Sequence, residues 1–294
     1  MSFGELGRRL AVAAVGVPAV VLLLFLGGWY ITVPLALLAA LGAGELYGMA
    51  AARGVRACGA GGIAAAAALV RVGGACPAGA AMAPWAFALL SVLLLVSLAA
   101  ALRLRGPGDA PLAASAVTVA GALYAGLPLA VVPLLHALPA GSGWGGETLS
   151  PWVGTFAVAL PVAATWVGDA AAYFVGSAWG RRKLAPSISP GKSWIGSWGG
   201  LVGAGVAAAV WYLLARPVLP GFPLPLAGVL ALGVLLGVAA QVGDLVESLL
   251  KREAGVKDSG TLFPGHGGVL DRLDALAFTL PLAYGLLALP GAVS

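Results

Sequence analysis

The stretch LPLAGVLALGVLLGVAAQVGDLVESLL, residues 224–250, decides the class of fold. Its first charged residue is Asp244, and the apolar run before it has the length of a bilayer-crossing helix, which needs about 20 residues. The whole chain shares this character, because 61% of its 294 residues are hydrophobic and 9% are charged. Ordinary soluble domains carry about 25% charged residues. We therefore exclude a water-soluble enzyme and a disordered chain, and predict an all-α polytopic membrane protein.

Apolar segments of sufficient length recur along the chain, and nine of them are candidate transmembrane helices. The third is the weakest, because it is rich in Ala and Gly and contains Arg71. The nine predicted spans are at about 10–28, 31–52, 57–79, 82–102, 112–138, 151–175, 197–215, 224–250 and 275–291.

The basic residues predict the orientation of these spans. With nine spans, fourteen of the sixteen Lys and Arg residues fall on one side, whereas Arg71 lies within a span and Arg216 falls on the other side. Short cytoplasmic loops are enriched in Lys and Arg, so we expect a cytoplasmic N-terminus and an outside C-terminus. The net charge of +5 is explained by this topology and does not indicate a nucleic-acid partner.

Acidic residues are scarce and concentrated in the second half of the chain. Seven of the eleven lie between Asp169 and Asp274. We therefore interpret residues 1–150 as a membrane scaffold of about five spans. Residues 151–294 are interpreted as a catalytic region of about four spans, with cytoplasmic loops at 177–196 and 251–274.

The end of the eighth span carries several polar groups on one helix face. Asp244, Ser248 and Lys251 are spaced i, i+4 and i+7, with Glu247 at i+3. Ionisable groups at membrane depth usually face a polar cavity. A snorkelling helix end with a salt bridge would explain Glu247 and Lys251, but it leaves the deeper Asp244 unexplained.

The segment VKDSGTLFPGHGGVLDRLD, residues 256–274, combines a glycine-rich turn with two acids at a helix start. Such turns can bind phosphate through backbone N–H groups, and His266 is either an exposed loop residue or a phosphate donor. Asp271 and Asp274 are spaced i, i+3, so together with Asp244 they predict an Mg²⁺ site. The alternative is that both acids only complement the helix dipole.

A second polar constellation begins in the sixth span. Asp169 and Tyr173 are one helical turn apart, and the following loop holds Lys183, Ser189 and Lys192 in a stretch constrained by Pro and Gly. Cations and hydroxyls in such a loop suit a triphosphate or a lipid phosphate. Positive-inside topology alone would explain residues 181–183, but not the turn SISPGKSW.

These two stretches together resemble the bacterial phosphatidate cytidylyltransferases. The resemblance covers about residues 166–274, and one position departs from it, since Ile195 stands where the family usually has Glu. The family's long signature is matched by Ser248, Lys251, Arg252, Lys257, Asp258, Pro264, His266, Gly267, Gly268, Asp271, Arg272 and Asp274. Its second motif is matched by Asp169, Ala172, Tyr173, residues 183–186 and residues 189–192.

The resemblance implies transfer of the CMP moiety of CTP to phosphatidic acid, at the cytoplasmic face of the bacterial inner membrane. It implies that Asp244 and Asp271 hold Mg²⁺ with Asp274 assisting, that K⁺ can accompany it, and that the protein forms a homodimer. The expected catalytic residues are Asp244, Lys251, Arg252, Asp271 and Asp274. The expected substrate-binding residues are Asp169, Tyr173, Ser189, Lys192, Ser248, Lys257, His266, Gly267, Gly268 and Arg272.

Two other functions are compatible with the sequence. A cytidylyltransferase acting on another lipid phosphate would look the same, because acyl-chain recognition is apolar and leaves no motif. A cation-coupled transporter would use the buried acids Asp169 and Asp244. Transporters often have corresponding broken segments in two halves, and the sequence shows no such pair.

Overall fold

The computed structural model describes residues 3–76, 79–145, 150–262 and 267–288, and these residues form helices and one short hairpin. The helices are α1 (Phe3–Leu26), α2 (Gly28–Ala52), α3 (Gly59–Ala75), α4 (Gly79–Leu104), α5 (Pro111–Ser142), α6 (Trp152–Trp179), α7 (Trp194–Ala215), α8 (Leu226–Ala254), α9 (Leu270–Leu273) and α10 (Leu276–Leu287). The strands are β1 (Lys183–Ala185) and β2 (Ser189–Ser193).

The prediction of a helical membrane protein is confirmed. Within the described ranges, six helices are long and apolar enough to cross a bilayer, namely α2, α4, α5, α6, α7 and α8. Helix α3 and the apolar part of α1, Gly16–Leu26, are apolar but shorter. In a bilayer such helices are favoured because each satisfies its own backbone hydrogen bonds.

The structure corrects the boundaries of both predicted loops. In the predicted loop 177–196, residues 177–179 belong to α6 and residues 194–196 to α7, and a two-stranded antiparallel hairpin lies between them. In the predicted loop 251–274, residues 251–254 continue α8 and residues 270–273 form α9. Helices α6 and α8 thus continue beyond the predicted spans, because backbone hydrogen bonding does not stop where hydropathy falls.

Two apolar clusters hold the bundle together, and α5 contributes to both. One contains Leu135 with residues of α6, α7, α8 and α10, and the other contains Leu129 with residues of α2 and α3. Small residues allow close approach between membrane helices. At the α6–α7 contact, a Cβ added to Gly196 would lie 2.8 Å from the carbonyl oxygen of Ala172.

The hairpin fixes the start of α7 against the end of α6. Lys183 pairs with Ser193, and Ala185 pairs with Ser189. Ser193 is the N-cap of α7, and its Oγ accepts a hydrogen bond from the N–H of Gly196 at 3.2 Å. A capping hydroxyl satisfies a backbone donor that the first helical turn leaves without a partner. The hairpin therefore presents Lys192 from a fixed backbone.

Candidate active site

A polar cavity of about 600 Å³ lies among α6, the hairpin, α7, α8 and the segment from α9 to Asp274. It brings together seven of the fifteen site residues that were predicted from separate stretches of the sequence. The predicted site residues that line it are Asp169, Tyr173, Ser189, Lys192, Asp244, Asp271 and Asp274. Four acids and at least one lysine thus share one space.

The hairpin and α8 meet through an ion pair inside this cavity. Lys192 Nζ lies 2.6 Å from Asp244 Oδ2, and both side chains are largely shielded from solvent. Ser248 Oγ donates to Asp244 Oδ1 at 3.4 Å, which is a long hydrogen bond across one helical turn. The predicted common face of α8 is therefore present, and Lys192 approaches it from a different element.

Lys251 lies between two carboxylates. Its Nζ donates to Glu247 Oε2 at 2.8 Å and to Asp271 Oδ1 at 2.6 Å. Glu247 is fully buried and Lys251 is 9% exposed. The Glu247–Lys251 pair is the salt bridge that the snorkelling interpretation expects, but the ammonium points into the protein and holds Asp271.

Asp271 is surrounded by hydrogen-bond donors. Its Oδ2 accepts from the N–H of Ser259 at 2.8 Å, from Ser259 Oγ at 2.9 Å and from the N–H of Gly268 at 2.8 Å. Burial by itself would raise the pKa of this carboxyl. The hydrogen bonds from Lys251, Gly268 and Ser259 outweigh burial and lower the pKa below the ordinary value of 3.8. Asp271 is therefore a fixed carboxylate.

Asp274 has a different environment. Its Oδ1 accepts from the N–H of Ala275 at 2.7 Å. Burial raises the pKa of the Asp274 carboxyl to about 6, and the negative charge of Asp244 adds to the rise. A carboxylate that lies close to a second negative charge also favours a nearby cation.

The carboxylate oxygens in the cavity fit an Mg²⁺ ion that is bound jointly by the protein and by substrate phosphates. Asp244, Asp271 and Asp274 offer carboxylate oxygens to one cavity. Among the described residues, no three Asp, Glu, His or Cys side chains converge closely enough to hold a metal ion by themselves. Mg²⁺ is usually held by one or two carboxylates plus substrate phosphates, so a preassembled trio is not required.

The glycine turn is packed against carboxylates. The Gly268 N–H, which the sequence suggested would be open to phosphate, donates to Asp271. Gly267 has a φ of +78°, and a Cβ there would lie within contact of Asp271 Oδ2. His266 lies outside the described residues. In this structure the turn therefore positions Asp271.

Four predicted basic residues, Lys251, Arg252, Lys257 and Arg272, lie outside the cavity lining. Arg252 is exposed and donates to the carbonyl oxygens of Ile188 at 3.3 Å and Val256 at 3.2 Å. Lys257 and Arg272 are also exposed. Arg252 thus ties the hairpin to α8, and its guanidinium is not among the groups that line the cavity.

Sequence reasoning missed several contributors to the site, among them Ser259, which binds Asp271. Glu247 was interpreted as a helix-end charge, and Ser197 and Gln241 were not considered, although both line the cavity and hydrogen-bond each other. No role was predicted for Glu45, although its carboxylate contacts the segment that carries Asp271. Its signal was present, because an ionisable residue inside a membrane helix is usually functional.

A known protein family matches this chain almost from end to end. The family model described as the cytidylyltransferase family matches residues 7–289, which include every element that builds the cavity. The chain belongs to the cytidylyltransferase family.

Relatives in this cytidylyltransferase family carry the name phosphatidate cytidylyltransferase. The protein of Synechocystis sp. is 34% identical over an alignment of 312 positions that covers 94% of each chain. The Bacillus subtilis protein is 49% identical over 124 residues, and the Haemophilus influenzae protein is 46% identical over 134 residues. The last two alignments span 44% and 46% of those relatives and 42% and 46% of this chain.

Proposed function

We propose that this chain is a phosphatidate cytidylyltransferase, which transfers the CMP moiety of CTP to phosphatidic acid and releases pyrophosphate. The observation that carries the proposal is the cavity lined by Asp244 and Asp271. Asp244 pairs with Lys192, and Asp271 pairs with Lys251. Hydroxyl groups of the hairpin lie beside these pairs. Family membership over residues 7–289 and the names of three relatives support the same reaction.

In the proposed reaction a phosphate oxygen of the lipid attacks the α-phosphorus of CTP. A new P–O bond forms, and the bond from the α-phosphorus to the oxygen that bridges to the β-phosphorus breaks, so the electron pair leaves with pyrophosphate. The lipid phosphate is already a competent nucleophile, so the protein needs no strong general base. Positioning and charge neutralisation supply most of the catalysis.

The lysines and hydroxyls take the phosphate-binding roles. Lys192 and Ser189 come from the hairpin and line the cavity, so they can bind phosphate directly. Lys251 and Ser248 of α8 lie outside the lining and bind Asp271 and Asp244, so they favour phosphate binding through these two carboxylates. Asp244 and Asp271, with Asp274 assisting, would hold Mg²⁺. When bound, Mg²⁺ neutralises negative charge on the phosphates and on the leaving group.

We also propose nine spans with a cytoplasmic N-terminus in the inner membrane, formed by α1 to α8 and α10. The clustering of basic residues supports this orientation, which places the cavity on the side where CTP is available. A reporter enzyme that is active only outside the cytoplasm tests it. Activity is expected after a fusion at Arg216 and not after a fusion at Arg105, and the reverse pattern would refute the orientation.

Transfer of label into lipid tests the reaction itself. The purified protein in detergent micelles receives phosphatidic acid, Mg²⁺ and α-labelled CTP. We expect label in the lipid phase, lost on addition of EDTA and in the Asp271→Asn variant. Folded wild-type protein that labels none of several lipid phosphates, with K⁺ also added, would refute the proposal. Label that enters only an isoprenoid or ether-lipid phosphate would reassign the substrate.

A further inference from the structure

The carboxylate of Glu45 binds the backbone at the start of α9. Glu45 lies in α2, about two helical turns before its end at Ala52. Its Oε1 accepts from the N–H of Val269 at 2.8 Å, and its Oε2 accepts from the N–H of Leu270 at 2.9 Å. These donors lie 224 and 225 residues further along the chain. Glu45 thus caps a short helix that belongs to the other half of the chain.

Ser259 connects this contact to the active-site aspartate. Its hydroxyl lies 2.8 Å from Glu45 Oε2 and 2.9 Å from Asp271 Oδ2, and it accepts from the N–H of Asp271 at 3.3 Å. A single hydroxyl proton is therefore shared between two carboxylates. The position of Asp271 depends on the same serine that Glu45 holds.

The surrounding residues are shaped for the Glu45 carboxylate. A Cβ added to Gly260 or Gly268 would collide with the Glu45 carboxylate oxygens. A Cβ added to Gly42, one turn before Glu45 on α2, would lie 3.1 Å from Leu270 Cδ2. The α2 face, residues 259–260 and residues 268–270 therefore fit together closely.

We propose that Glu45 is a positioning residue for the CMP transfer, anchoring residues 259–271 so that Asp271 keeps its place in the cavity. The inference rests on the proposed function for its catalytic part. Glu45 lies outside the lining of the cavity, so it acts through Ser259 and the α9 backbone and does not touch substrate. The N-terminal half then contributes directly to the geometry of the site.

The Glu45→Gln variant tests the hydrogen bonds between the Glu45 carboxylate and the backbone of α9. Glutamine keeps the size of the side chain but replaces one acceptor oxygen by an NH₂ donor. In one amide orientation this donor faces the N–H of Leu270, and in the other it faces the N–H of Val269, so one backbone donor always loses its partner. Glu253→Gln is the matched control, because Glu253 is exposed and makes no hydrogen bond or ion pair within the described residues.

The first readout is kinetic. We expect Glu45→Gln to lower kcat per folded enzyme by about 10- to 100-fold, since small misplacements of reacting groups cost that much. The KM for phosphatidic acid should stay within about twofold, as for loss of an interaction needed in the transition state. Ser259→Ala should lower kcat similarly, and the double variant should lose no more than the worse single variant, because both act on one connection.

The second readout does not depend on activity. Amide hydrogen exchange at residues 269–270 should accelerate in Glu45→Gln and stay unchanged in Glu253→Gln. If wild-type protein transferred no CMP, the proposed function would fail, and the exchange result would still decide whether Glu45 anchors α9.

Three results would overturn the inference. The first is a folded Glu45→Gln protein with kcat within about twofold of wild type. The second is unchanged amide hydrogen exchange at residues 269–270. The third is a double variant whose loss of kcat equals the product of the losses in Glu45→Gln and Ser259→Ala. If Glu45→Gln does not accumulate in membranes, Ser259→Ala carries the test, and a kcat within about twofold of wild type refutes the inference.

Discussion

Replacing Lys251 by Met should destabilise the protein strongly, because the ammonium neutralises two buried carboxylates. Glu247 Oε2 and Asp271 Oδ1 both contact the same Nζ, at 2.8 Å and 2.6 Å, so these two oxygens are at most about 5.4 Å apart. Without the lysine, two negative charges at that separation repel by about 3 kcal/mol at an effective dielectric constant of 20. All three side chains are largely buried, so solvent screens this repulsion poorly.

Experience with other buried ion pairs gives a similar magnitude. Removing one partner of a buried pair typically costs about 3–5 kcal/mol. For a chain of this size that corresponds to a Tm lower by about 6–20 °C. We would measure the midpoint of thermal unfolding in detergent for Lys251→Met against wild type.

Lys257→Met is the matched control for this measurement. It makes the same chemical change at an exposed lysine that has no hydrogen bond or ion pair within the described residues. Its Tm should stay close to that of wild type, since exposed charges contribute little. The reasoning would be refuted if Lys251→Met and Lys257→Met unfolded at the same temperature.

Three further perturbations follow from the site. Lys192→Met should raise the KM for CTP by about tenfold, because a charge-assisted phosphate contact is lost. An unchanged KM in steady-state kinetics would exclude a phosphate-binding role for Lys192. Ser193→Ala should lower the free energy of unfolding by about 1 kcal/mol through loss of the α7 N-cap, whereas an unchanged Tm would show that the cap is not needed. The Mg²⁺ concentration for half-maximal activity should rise as the pH falls below about 6, because protonated Asp274 no longer attracts the cation. A half-maximal Mg²⁺ concentration that stays constant from pH 5 to 8 would contradict this prediction.

The contacts that sequence reasoning predicted are mainly those along one helix. The spacing of Asp244, Glu247, Ser248 and Lys251 fixes their common face, and the structure confirms the contacts from Asp244 to Ser248 and from Glu247 to Lys251. Helical periodicity determines such neighbours whatever the tertiary fold.

The hairpin was not predictable from pattern. Its strands are three and five residues long, and SPGKS lacks the alternation of apolar and polar residues that marks a strand. The strands form because closely packed helices α6 and α7 bring both ends of the segment together. The backbone of the segment then satisfies its hydrogen bonds by pairing with itself.

The Glu45 contact was beyond sequence reasoning for a different reason. Glu45 is an acid inside an apolar span, but nothing local in the sequence indicates which distant donors its carboxylate meets. The partner segment contains Ser259 and the glycines at 260 and 268, whose importance is clear only when the carboxylate lies beside them.

The distance along the chain between Glu45 and Ser259 also has a consequence for biosynthesis. The two residues are separated by 214 positions, which a ribosome translates in about 10 to 40 s at about 5–20 residues per second. During that interval α2 is already made while the donors for its carboxylate do not yet exist. A nascent chain halted before Ser259 therefore contains a membrane helix with an unsatisfied acid. The site is completed only when residues 259–271 fold back onto α2, which was made earlier.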